Sequence, residues 1–242
     1  MSTLYFTDRS NVNLEEVVFN EAVSGQINQF LKEYHFREVL ERYELPVVNK
    51  MLLYGKTGCG KTMTAKAIAK KLDKKIIIVN LASIVSSKLG ETAKNIEGLF
   101  KEVLYESAVL FFDEFDSLGQ IRDYDNKDSS EMKRVVNAIL QLIDNFPKKS
   151  ILIAATNQIQ MIDEALIRRF ELKLEFTLPS REVLDMYYDK LLSKYPAEFC
   201  TLERIYEVSF AEAKNQVFTA VKNNIIQAEI EKQHNNQIPF GN

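Results

Sequence analysis

Residues 55–62 read Gly-Lys-Thr-Gly-Cys-Gly-Lys-Thr: a glycine, four residues, then Gly60, Lys61 and Thr62. This is the spacing of a phosphate-binding loop. The chemistry needs these types. Gly58 and Gly60 can take positive φ and let the backbone approach an anion closely. Successive N–H groups, with a helix N-terminus behind them, surround a β-phosphate. The Lys61 ammonium reaches β- and γ-phosphates, and the Thr62 hydroxyl ligates Mg²⁺. The expected cradle is Thr57, Gly58, Cys59, Gly60, Lys61, Thr62 and Met63.

A second group lies at 109–116, where Val-Leu-Phe-Phe closes on Asp113, Glu114, Phe115 and Asp116. At the carboxyl end of a central strand, Asp113 would face the ligand crevice and hold the same Mg²⁺ through water. Glu114, one residue on, is placed to orient or deprotonate an attacking water, which argues for hydrolysis. A third apolar run, Ile151–Ala155, ends in Thr156 and Asn157. The Asn157 amide would bridge that water and the γ-phosphate, or would simply serve the turn. Arg168 and Arg169 precede Phe170. They read either as a salt-bridged surface or as arginine fingers entering a neighbouring subunit's site.

The elements that must position these groups alternate. Short apolar runs at Met51–Tyr54, Lys75–Val79, Val109–Phe112, Ile151–Ala155 and Lys173–Phe176 read as buried strands. Between them lie helical patterns at Met63–Leu72, Glu91–Glu106, Ser130–Asn145 and Asp163–Arg168. Strand–helix alternation predicts an α/β fold with a five-stranded parallel sheet. Ahead of it, Met1–Asn13 reads as a short polar arm, ordered or frayed, and Leu14–Tyr43 as an amphipathic helical stretch that Pro46 ends. Beyond Pro179 the strands cease, and Arg181–Ser193, Leu202–Val208 and Phe210–Gln233 read as helices. The predicted organisation is an N-terminal arm over 1–44, an α/β domain over 45–179 and a small all-helical domain over 180–242.

The bulk properties narrow the class. At 242 residues and 46% hydrophobic, the chain can build a substantial core. Its 31 basic and 34 acidic residues leave a net charge of −3, no basis for general nucleic-acid or membrane-surface binding. No stretch reaches the ~18 apolar residues of a membrane span. Met1–Asn20 lacks the pattern of a signal peptide. One of the two cysteines, Cys59, lies in the loop, where a disulfide would obstruct a ligand. The expectation is a cytoplasmic protein in a reducing compartment.

Taken in order, segments 52–62, 89–96 (Leu-Gly-Glu-Thr-Ala-Lys-Asn-Ile), 110–116, 154–157 (Ala-Ala-Thr-Asn) and 166–171 (Leu-Ile-Arg-Arg-Phe-Glu) make the chain resemble an AAA+ ATPase. The resemblance runs from about Phe19 to Ile226. It is to the AAA clade of microtubule-severing and ESCRT-III-disassembling enzymes, and to short bacterial AAA ATPases. It implies a P-loop NTPase fold with a helical lid, ATP and ADP as ligands, and Mg²⁺. By the same likeness Lys61 and Thr62 belong to Walker A, Asp113 and Glu114 to Walker B, and Asn157 is sensor 1. Arg168 and Arg169 would act across an interface of a homo-oligomer, usually a hexameric ring, that remodels a protein threaded through its pore.

The chain departs from the family pattern at three places. Lys88, before Leu89, stands where the pore loop usually carries an aromatic. An aromatic grips an unfolded chain by area, whereas lysine offers charge on a flexible stem. This leaves open an acidic cargo, or a switch in which ATP drives assembly and the assembly recruits an effector. The lid segment reads Val208-Ser209-Phe210-Ala211-Glu212 in place of a Ser-Gly-Ala-Asp type turn, and Lys56-Thr57 replaces the common double proline. Arg122 lies in a charged loop where the family has a second pore loop, and Ile238–Asn242 is an apolar tail end.

Overall fold

The computed structural model describes residues 5–8, 12–81, 96–98, 100–101, 103, 106–118 and 128–236. Its centre is one sheet built from β1 (Tyr5–Asp8), β2 (Lys50–Gly55), β3 (Ile76–Asn80), β4 (Val109–Asp113), β5 (Ile151–Thr156) and β6 (Leu172–Phe176). The order is β1-β3-β4-β5-β2-β6. The pairs β3–β4, β4–β5, β5–β2 and β2–β6 are parallel. All five predicted strands form. They read as unbroken apolar runs because a parallel sheet is covered on both faces: Met51, Leu52, Leu53, Leu110, Phe111, Phe112, Ile151, Leu152 and Ile153 are fully buried.

A sixth strand lies within residues 1–13, read from the sequence as an ordered arm or a frayed end. Tyr5–Asp8 pairs antiparallel with β3, Tyr5 opposite Val79 and Asp8 opposite Ile76. The predicted helical stretch over 14–43 is broken up. It begins as a 3-10 turn at Leu14–Glu16 and becomes α1 only at Glu21–His35. Asn20 caps α1 by accepting from the Val23 N–H at 2.8 Å. Val23, Ile27, Phe30 and Tyr34 form its buried face. After Phe36 a short α2 (Arg37–Arg42) follows, and Glu44, in the left-handed region at φ 58°, stops the chain before Pro46. Helix α3 (Lys61–Lys71) follows β2 directly, and a long helix spans Asp128–Asp144 before β5. Of the predicted helix over 91–106, the described residues from Ile96 to Glu106 are helical, and the rest lie outside the described residues.

The chain forms two compact units. One comprises residues 1–56 and 60–176, the other 57–59 and 177–242. In the first, Leu52, Ile77, Leu110, Phe112, Phe115 and Leu152 anchor a buried cluster on one face of the sheet. In the second, Leu184, Tyr188, Leu191, Ala213, Val217 and Val221 pack the helix Arg181–Leu192 against the helix Phe210–Asn236. The predicted helix over Leu202–Val208 is absent. That segment has no regular secondary structure, because Arg204 and Tyr206 reach back to the carboxylate of Asp185 at 2.7 and 2.9 Å, and Glu207 turns at φ 59°. Among the described residues no helix is long and apolar enough to cross a membrane.

Candidate functional site

The glycine loop runs from the end of β2 into α3, and three of its glycines carry positive φ: Gly55 at 124°, Gly58 at 75° and Gly60 at 102°. Gly55 has a further constraint. A Cβ there would sit 2.2 Å from the carbonyl oxygen of Phe176, the last residue of β6. The Lys56 N–H donates to that same oxygen at 2.9 Å. Gly60 caps α3 in a left-handed conformation, so the first turn of the helix opens onto the loop. Lys61 is buried as a residue, and its ammonium donates to the carbonyls of Gly55 and Lys56, both at 2.8 Å. The lysine therefore lies over the loop from within, held by charge-assisted bonds. Val17, just after the 3-10 turn, lies on the open side of Gly60. Met63 is exposed, and the Cys59 thiol is buried.

Asp113 closes β4, and its Oδ2 accepts a hydrogen bond from the Thr62 hydroxyl at 3.1 Å. A hydroxyl and a carboxylate in direct contact are the hard oxygen donors that suit Mg²⁺, which uses one or two protein ligands alongside water and phosphate. The Thr62–Asp113 pair thus fits the ion that the family implies. Glu114 follows in the left-handed region at φ 53°, a costly conformation for a side-chain-bearing residue. Three bonds hold the turn: Glu114 N–H donates to Asp113 Oδ1 at 3.0 Å, and the Ser117 N–H and hydroxyl donate to the Glu114 carbonyl at 2.9 and 2.7 Å. The Glu114 carboxylate is exposed and accepts from the Asn80 amide at 3.0 Å.

Asn80 was not picked out from the sequence. It ends β3 directly opposite Asp113 in the parallel register. The signal was available: a polar residue closing an apolar run, as at Asp113 and Thr156. Asp116 was likewise missed. It is buried, and its Oδ1 accepts from the Thr156 hydroxyl at 2.7 Å and from the Asn157 N–H at 3.4 Å. A carboxylate after β4 therefore fixes the tip of β5, where Asn157 is exposed.

The two arginines differ in setting. Arg169 makes a forked pair with Asp144, Nε to Oδ1 at 2.8 Å and Nη2 to Oδ2 at 3.1 Å, and its Nη1 donates to the Ala165 carbonyl at 2.7 Å. Arg168 pairs one turn back with Glu164, and its side chain is 71% exposed. Lys88, Leu89, Arg122 and the tail Ile238–Asn242 lie outside the described residues. A cavity of about 500 Å³ on the helical unit, lined by Glu198, Phe199, Asn224, Gln227, Glu231 and Lys232, contains none of the predicted site residues.

A glycine cradle at a strand–helix turn, with the Thr62 hydroxyl at the helix start meeting an acid at the end of a central parallel strand, defines a phosphate-loop nucleotide-binding protein. Residues 51–178 match the family described as ATPase family associated with various cellular activities (AAA). The chain belongs to this family: it is an AAA ATPase. It is 35% identical over 218 residues to the AAA family ATPase y4kL of Sinorhizobium fredii, covering 89% of this chain and 66% of that protein. Against the 26S proteasome regulatory subunit 8 homolog of Schizosaccharomyces pombe it is 36% identical over 152 residues, 60% of this chain and 38% of that protein. The chain thus spans less than two thirds of the length of either relative. The crystal structure of the FIGL-1 AAA domain matches with a TM-score of 0.73 at 23% identity, covering 94% of this chain and 77% of that one, a likeness of fold.

Proposed function

We propose that this chain binds ATP with Mg²⁺ on the Thr57–Met63 loop, hydrolyses it within a homo-oligomeric ring, and uses the cycle to remodel a protein partner. The observation that carries the reading is the convergence of Thr62, Asp113 and Glu114: the first two 3.1 Å apart, the third exposed beside them. Lys61 exchanges its loop carbonyls for phosphate oxygens. Thr62 and Asp113 hold the cation, which supplies charge neutralisation on the phosphates when bound. Glu114 and Asn157 orient the attacking water, with Asn80 setting the direction of the Glu114 carboxylate. Arg168, exposed and tied only one turn back, is the better placed of the two arginines to enter a neighbouring site, whereas Arg169 braces the Asp144–Ala165 region of its own subunit. The proteasome-subunit relative favours a protein partner. The second reading, an ATP-driven assembly switch that recruits an effector without threading, is favoured by lysine at position 88.

The test pairs binding with turnover. Lys61→Ala is expected to abolish ATP binding measured by calorimetry. Glu114→Gln keeps binding and loses turnover by about 10²-fold or more. Arg168→Ala keeps binding and loses about 10³-fold in turnover. Mixing the inactive Lys61→Ala and Arg168→Ala proteins should restore turnover, because intact Arg168 then meets intact loops. No recovery in the mixture rules out the trans-acting arginine. Unfolding or release of whatever co-purifies with Glu114→Gln separates remodelling from switching.

A further inference from the structure

Three residues of the phosphate loop, Thr57, Gly58 and Cys59, belong to the same compact unit as Thr177–Asn242. The contacts that bring this about centre on Gly58. Its carbonyl accepts from the Ala211 N–H at 3.2 Å. Its φ is +75°, and a Cβ placed on it would sit 2.6 Å from Ser209 Oγ and 2.9 Å from Ala211 Cβ. Glycine has little intrinsic preference for this conformation over others. Something outside the residue must select it, and here that is the start of the helix Phe210–Asn236.

That helix start is itself held by one side chain. Glu212 Oε2 accepts from both the Ser209 N–H at 2.8 Å and the Ser209 hydroxyl at 2.7 Å, while the Glu212 N–H donates back to Ser209 Oγ at 3.3 Å. This is a capping box with the serine 4% exposed. The Ser209 bonds hold the Glu212 carboxyl below the usual carboxylate range, so it is ionised at neutral pH. In the first turn its charge also complements the helix dipole. Of the N–H groups a helix start leaves unpaired, that of Glu212 goes to Ser209 and that of Ala211 to Gly58.

We infer that Glu212 is a positioning residue for nucleotide binding: through Ser209 it fixes the helix start that selects the left-handed conformation of Gly58. This rests on the nucleotide-binding reading of the loop. Removing the carboxylate leaves the Ser209 hydroxyl and N–H without their acceptor, frees the first turn, and lets Gly58 leave the cradle conformation before a phosphate arrives.

Calorimetric titration of the full chain with a slowly hydrolysed ATP analogue and Mg²⁺ tests this. Glu212→Ala is expected to weaken binding about five- to tenfold, as for loss of a helix cap converted to affinity. Glu212→Gln, which keeps an acceptor, should stay within about threefold of wild type. Arg204→Ala breaks the Asp185 and Asp189 pairs elsewhere in the same unit. It should lower Tm at least as much as Glu212→Ala and leave affinity unchanged. Should Glu212→Ala not fold, Ser209→Ala carries the test, with an expected loss of about threefold. Wild-type affinity in Glu212→Ala, or equal losses in Glu212→Ala and Arg204→Ala, overturns the inference while leaving the nucleotide reading intact. Absence of binding by the wild type overturns both.

Discussion

The sheet unit and the helical unit are held by different kinds of contact. In the sheet unit, rings stack across the core: Phe100 on Phe112 at 6.1 Å, Phe112 on Phe115 at 6.1 Å, and Phe115 edge-on to Phe170 at 5.6 Å. Aliphatic side chains of β2, β3, β4 and β5 fill the space around them. In the helical unit the largest buried residue is Tyr188, whose hydroxyl lies 3.1 Å from the Ile205 carbonyl and reaches the Gln216 amide. Arg204 bridges Asp185 and Asp189 and covers the Tyr188 ring, and Arg181 covers Tyr206 at 4.4 Å. The first arrangement is non-directional and scales with buried area. The second depends on angles, distances and ionisation. The central strands are thus set by packing, with the Asp116 carboxylate fixing the tip of β5. Residues 204–206 are tied to the preceding helix by a few polar bonds that one substitution can cut.

This contrast can be broken at its strongest point first. Phe112→Ala removes a fully buried ring that contacts two others and is expected to cost about 3–5 kcal/mol in denaturant unfolding. A cost below about 1 kcal/mol would mean that the ring stack is not what orders the strands. Arg204→Ala should cost less than Phe112→Ala, because its partners are exposed, and is read as earlier loss of the helical unit. The smallest effect is the pH response. The Arg204 hydrogen bond, reinforced by Tyr206, holds the Asp185 carboxyl below its usual range. A depressed carboxyl contributes stability above its unfolded value, and the contribution is lost as pH falls through the folded value. The advantage of wild type over Arg204→Ala should therefore persist from pH 7 to about pH 5 and shrink below about pH 4. An equal gap at pH 7 and pH 3 would remove the charge from the explanation.

Legibility from the sequence follows the same division. The five parallel strands, α3, the loop, and the acids at 113 and 114 are visible because each is a continuous local pattern: an apolar run, a glycine spacing, a polar residue at a run's end. What was not legible depends on distant partners. Tyr5–Asp8 is a strand only because β3 offers it an edge. Residues 202–208 have an apolar rhythm that suits a helix, yet Arg204 and Tyr206 are drawn to Asp185 on the preceding helix. Asn80 acquires its meaning from the register that sets it opposite Asp113. The unequal settings of Arg168 and Arg169 arise from Asp144, 25 residues away from Arg169.

The short β1 strand carries one more consequence. Without it, β3 (Ile-Ile-Ile-Val-Asn) would present an open row of amide and carbonyl groups on a flat apolar ribbon, the kind of border along which separate chains add to one another. Four residues ending in an aspartate cover that border and are too short to offer a good template themselves. Trimming the first eleven residues should therefore leave the chemistry untouched while making concentrated solutions cloud and form fibres on standing.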